Sequence, residues 1–127
     1  MAVPLVSFEL REKYLLVVGH GKRDNLSSMV AASAEIYAKV LETNSHFLMV
    51  DYRKLEINVH LTEAFNIVKS YEKRSPGLKQ IIIAGVFSSA GLEFANYWKE
   101  VSVKRGFHIE IFEDIEVAEA WLIGQIR

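Results

Sequence analysis

The chain has no cysteine and only two prolines in its 127 residues. Without thiols there is no disulfide framework, no thiolate zinc site and no thiol nucleophile. An intracellular, cytoplasmic protein is the default expectation. An excess of charge of one sign is also missing: 15 basic residues face 16 acidic ones, and neither half of the chain is clearly biased. That balance excludes a general nucleic-acid binder, whose affinity comes from a clustered positive surface neutralising phosphates. No window approaches the ~20 apolar residues of a membrane span. The start, MAVPLVSFELREKY, lacks a basic segment followed by a long apolar one, so neither a standard export signal nor a span is expected. Pro/Gly-rich linkers and low-complexity tracts are absent too, which predicts a single domain over 1–127.

What the chain does contain is centred on Lys79–Ser89, KQIIIAGVFSS. Ile81, Ile82 and Ile83 in succession leave no polar face, so this strand belongs inside a sheet covered on both sides. Ahead of it, Leu5–Leu10 and Tyr14–Gly19 are β-prone runs joined by Arg11-Glu12-Lys13, too short for a crossover and therefore a hairpin. After Gly19-His20-Gly21, Asp24 or Asn25 can cap a helix with Leu26, Met29, Val30, Ile36, Tyr37, Val40 and Leu41 on one stripe, ending at Asn44. Phe47–Val50 is a strand closed by Asp51. A loop from Tyr52 to His60 precedes a helix from Thr62 with Leu61, Ala64, Phe65, Val68 and Tyr71 inward, ended by Ser75-Pro76-Gly77.

Ser88 or Ser89 can cap the next helix, carrying Leu92, Ala95, Trp98 and Val101 inward and closed by Gly106. Phe107–Phe112 alternates apolar and polar residues, as an edge strand with one wet face does. Glu113, Asp114 and Glu116 crowd the start of a last helix whose stripe is Ile115, Ala118, Trp121 and Leu122. The prediction is an α/β fold: an N-terminal β-hairpin, then four right-handed βα units winding a mainly parallel five-stranded sheet. If strands pair in sequence order, all crossover helices fall on one face. The other face, apolar on three strands, then needs a second copy, and a homodimer is expected unless the strand order puts helices on both sides.

The run Lys104-Arg105-Gly106-Phe107-His108-Ile109-Glu110-Ile111-Phe112, followed by Asp114, Ala118, Trp121 and Leu122, resembles the end of SpoIIAA-like (STAS-like) domains. The order of elements matches that fold over nearly the whole chain. The resemblance implies a small cytoplasmic regulatory or ligand-sensing domain without cofactor. Phosphorylated members of that group carry a serine pair after a strand ending in Asp. Here Asp51 matches the strand end, but Tyr52-Arg53-Lys54-Leu55 replaces the serines. Ser88-Ser89-Ala90-Gly91 lies one βα unit later, so no phosphosite is carried over.

Residues with chemistry to offer collect at predicted strand ends. Gly19-His20-Gly21-Lys22-Arg23 has the parts of a phosphate cradle, but Leu16 and Arg23 stand where a P-loop needs Gly and Ser or Thr. The spacing favours a turn with solvated basic residues. Asp51, Tyr52 and Arg53 follow a strand's carboxyl end, where open α/β sheets bind ligands. Ser88 and Ser89 lack a G-x-S-x-G surround, which leaves helix capping. The four histidines, His20, His46, His60 and His108, contain no i,i+4 pair, so no metal site is expected. His20, Lys22, Arg23, Asp51, Tyr52, Arg53, Ser88 and Ser89 are therefore candidates for ligand or partner binding, with none assigned to catalysis. The leading expectation is a non-enzymatic module acting through contacts with an unidentified protein partner. The alternative is a binder of a small apolar molecule or lipid, which requires a pocket of ~300 Å³ or more at the strand carboxyl ends.

Overall fold

The computed structural model describes residues 5–126. Strands β1 (Val6–Leu10) and β2 (Leu15–Gly19) form the hairpin. They are followed by β3 (Lys22–Arg23), α1 (Leu26–Thr43), β4 (Phe47–Asp51), β5 (Glu56–Ile57), α2 (Thr62–Arg74), β6 (Ile82–Val86), α3 (Leu92–Lys104), β7 (His108–Phe112) and α4 (Ile115–Gly124). The main sheet has the order β1-β2-β4-β6-β7, with β1–β2 antiparallel and every other pair parallel. The isoleucine strand β6 is interior and β7 is an edge, as the apolar patterns require.

Local signals act as their chemistry dictates. Asn25 caps α1 by accepting from the Ser28 amide at 2.8 Å, and Asn44 ends it in the left-handed region at φ 52°. Asp114 caps α4 by accepting from the Glu116 and Val117 amides. The Ser75-Pro76-Gly77 break stops α2 at Arg74 and leads into a 3-10 turn. At the start of α3, however, neither Ser88 nor Ser89 makes a side-chain capping bond. A 3-10 turn, Ser89–Gly91, intervenes, and Gly91 precedes the helix.

Strands do pair in sequence order, and right-handed crossovers between successive neighbours place α1, α2 and α3 on one face. Leu15, Val17, Leu48, Val50, Ile83 and Ile109 point into that layer. No strand follows α4, so it is free of the crossover constraint and folds back over the opposite face. There, Ala118 and Leu122 are buried against Leu16, Met49, Ala84 and Val86. The expected bare face does not exist, and the argument for a homodimer loses its premise.

Several expected core residues lie farther out. Leu41, Leu61 and Phe65 are exposed and Trp121 is half-buried; on α2 the buried stripe is Ala64, Ile67, Val68 and Tyr71. The segment read as a plain loop between Tyr52 and His60 contains β5, which pairs with β3 in a second, two-stranded parallel sheet.

Candidate functional site

Register places the carboxyl ends of the parallel strands side by side: Val18 is opposite Asp51, Asp51 opposite Val86, and Val86 opposite Phe112. Most of the predicted binding residues therefore emerge at one end of the sheet. They divide into three arrangements rather than one.

The first is an ion pair. Asp51 accepts from Arg53 Nε at 2.9 Å and Nη2 at 2.8 Å, a bidentate fork, and from the Arg53 amide at 3.2 Å. These hydrogen bonds hold the Asp51 carboxyl below the usual carboxylate range, against the opposing effect of partial burial. Since the two charges satisfy each other, neither is presented to a ligand. The second arrangement is peripheral. Lys22 is exposed and pairs with Glu56 at 3.5 Å, while His20 Nε2 meets Ser7 Oγ at 2.7 Å. Ser88 is half-buried and Ser89 exposed.

The third lies inside. Arg23, expected to be solvated, is 2% exposed. Its Nη1 donates to the carbonyl of His20 at 2.9 Å and, more weakly, of Lys22 at 3.4 Å, and its Nη2 to the carbonyl of Leu5 at 2.8 Å. The β3–β5 pairing that draws it inward depends on pairing between residues more than thirty positions apart, which local patterns do not encode. Arg23 and Tyr52 border a cavity of ≈ 60 Å³ between the sheet and helices α1, α2 and α3. Ala32, Ile36, Val50, Ile67, Phe87 and Phe94 supply much of its apolar lining. Burial pushes the Tyr52 phenol up, with the Arg23 charge acting in the opposite direction. Tyr52 also stacks edge-on against Phe87, centroids 5.6 Å apart. Deeper in, Trp98 Nε1 donates to the Tyr71 hydroxyl at 3.1 Å. The cavity is about one fifth of the ~300 Å³ expected of a lipid-sized pocket, so a lipid-sized occupant does not fit this structure.

Outside the predicted set, α2 and α3 enclose a surface groove lined by Phe65, Tyr97, Glu100, Val101, Lys104 and Arg105. The Phe65 ring, 39% exposed, lies 4.9 Å from the Arg105 guanidinium and 5.5 Å from Lys69 Nζ. Leu61 and Phe65 stand one helical turn apart. Their offset from the Ala64–Ile67–Val68–Tyr71 stripe was the available signal that they face outward. Among the described residues, no helix is long and apolar enough to cross a membrane, and no cluster of three metal-ligating side chains occurs.

No family model matches the chain, and neither does any curated protein. Solved structures do. An anti-sigma factor antagonist from Mycobacterium paratuberculosis superposes with a TM-score of 0.63 at 11% identity, over 93% of this chain and 92% of that one. An uncharacterised protein of the DUF3478 family with a SpoIIAA-like fold, from Shewanella loihica PV-4, superposes with a TM-score of 0.56 at 20% identity, over 96% and 98%. The chain has the SpoIIAA-like fold. At these identities the likeness extends to architecture and not to particular residues.

Proposed function

We propose that this chain, over residues 1–127, is a single non-enzymatic regulatory module of the cytoplasm that works by contact with another protein. The observation that carries the reading is the groove between α2 and α3, where Phe65, Tyr97 and Val101 stand at a surface framed by Lys69, Lys104 and Arg105. Aromatic residues with arginine are the side chains that dominate protein interfaces. Because Lys104 and Arg105 are paired with Glu100 and Glu72, a mainly apolar segment is the partner surface that fits. The fold shared with an anti-sigma factor antagonist supports a regulatory role.

The test is a photo-crosslinking residue placed at position 65 in living cells, with the same residue at exposed position 35 on α1 as the control. A defined adduct from position 65 that is missing from position 35, and is lost when Lys69 and Arg105 are both changed to Glu, supports the reading. Identical patterns from the two positions would reject it.

A second reading, binding of a small apolar molecule, is favoured by the cavity beside Arg23 and Tyr52. Its size restricts the ligand to one far smaller than a lipid.

A further inference from the structure

Resting on that second reading, we propose that the cavity is a receptor for a short-chain carboxylate, with Arg23 as the residue that recognises the anionic end. Arg23 carries its charge in an uncommon place. Arginine is almost never fully buried without a paired anion, because removing its charge from water costs several kcal/mol unless an opposite charge compensates. Arg23 is 2% exposed, and among the described residues no carboxylate lies within ion-pair distance of it. Among the described residues, its hydrogen bonds go to neutral backbone carbonyls, those of Leu5, His20 and Lys22. Those bonds orient the guanidinium without neutralising it. They engage both terminal nitrogens of the fork.

The second observation is where this charge sits. Arg23 borders a cavity that is otherwise lined mainly by aliphatic and aromatic side chains. A guanidinium takes a carboxylate through two parallel hydrogen bonds, and such pairs strengthen where water is excluded. The complementary ligand therefore has one planar anionic end and an apolar body. A volume of ≈ 60 Å³ accommodates roughly four to six water-sized groups. That sets the ligand as a linear or branched carboxylate of a few carbons, such as butyrate or isobutyrate. Amines fail on charge, and alcohols of equal length lack the anion that Arg23 is missing.

The experiment measures binding of butyrate and isobutyrate to the full chain by isothermal titration and thermal shift, beside the alcohols and amines of the same carbon skeleton. The expected result is saturable binding of the carboxylates, weaker or no binding of the alcohols, and none of the amines. Arg23→Gln should weaken carboxylate binding at least roughly 30-fold. Because Arg23 also ties β3 to Leu5 and His20, that variant is paired with Ala32→Leu. The latter keeps Arg23 and narrows the cavity, and should abolish binding while circular dichroism stays native.

Equal binding of alcohol and carboxylate, unchanged by Arg23→Gln, would overturn the role of Arg23 while leaving the cavity as an apolar site. Binding of none of the probes would overturn the cavity reading itself. Carboxylate binding that survives Ala32→Leu would place the site elsewhere and also reject the proposal.

Discussion

Tyr52 lies so close against Gly19 that a Cβ at position 19 would stand 2.5 Å from Tyr52 Cδ1 and 2.7 Å from Cε1. The glycine ends β2, and the ring crosses it to reach Phe87 beside the cavity. Gly19→Ala should therefore displace Tyr52 and cost about 1 to 3 kcal/mol, the range for overpacking a well-filled site. Urea denaturation followed by tyrosine fluorescence measures it. Unchanged stability would mean that Tyr52 has room to move.

The Asp51–Arg53 pair predicts a pH dependence with a definite sign. Arg53 holds the folded carboxyl below its unfolded value of about 3.9. The stabilisation is thus present above the unfolded pKa and is lost as pH falls through the folded one. Wild type should lose stability on acidification below about pH 4 more steeply than Asp51→Asn. Glu56 and Glu110 are also held low by their partners, so the difference between the two proteins isolates Asp51. Parallel curves down to pH 2 would show that the pair contributes nothing.

The sequence made the architecture legible because the residues that set it act locally or by period. Ile81–Ile83 demanded an interior strand, Asn25 and Asn44 bracketed α1, and the alternation from Phe107 marked an edge. What stayed hidden depends on contacts between distant segments. Arg23 reads as a surface cation in Gly-Lys-Arg, and only its pairing with β5 turns it inward. The return of α4 over the second face is a choice of side that its own amphipathic stripe does not encode. Phe65 sat at the margin of a helix stripe, where a period of 3.6 residues separates buried from exposed poorly. The sequence thus brings most of the candidate residues to one end of the sheet, but neither the burial of Arg23 nor the groove between α2 and α3 is readable from it.

Trp121 shows how burial sets a cost. Its ring packs on Phe112 with centroids 5.6 Å apart but remains half-buried. Trp121→Ala should cost about 2 kcal/mol, below the ~3 to 5 kcal/mol of a fully enclosed aromatic. A loss above 4 kcal/mol by denaturant titration would mean that α4 detaches from the sheet when the ring is removed.

Ser102 is fully buried in α3, and among the described residues its Oγ has no hydrogen-bond partner. A buried unsatisfied hydroxyl costs more than an apolar group of similar shape, and alanine is the better helix former. Ser102→Ala should leave stability unchanged or raise it by up to about 1 kcal/mol, read as a higher urea midpoint. A clear loss would indicate that the hydroxyl is paired in solution, for instance with ordered water.

The bond from Trp98 Nε1 to the Tyr71 hydroxyl ties α3 to α2 beside the cavity, and both residues are buried. Removing one partner leaves the other unsatisfied, so Tyr71→Phe should cost about 1 to 3 kcal/mol through the orphaned indole N–H. Trp98→Phe should cost more, because it also removes ring volume packed against Phe87. If the hydrogen bond is the coupling, the double variant should be more stable than the sum of the two single losses predicts, by roughly 0.5 to 3 kcal/mol. The second substitution removes a group that the first had already stranded. Strict additivity in the double-mutant cycle would mean that packing and the Arg105–Glu72 ion pair join α2 to α3 without this bond, and the groove they form at the surface would then tolerate its loss.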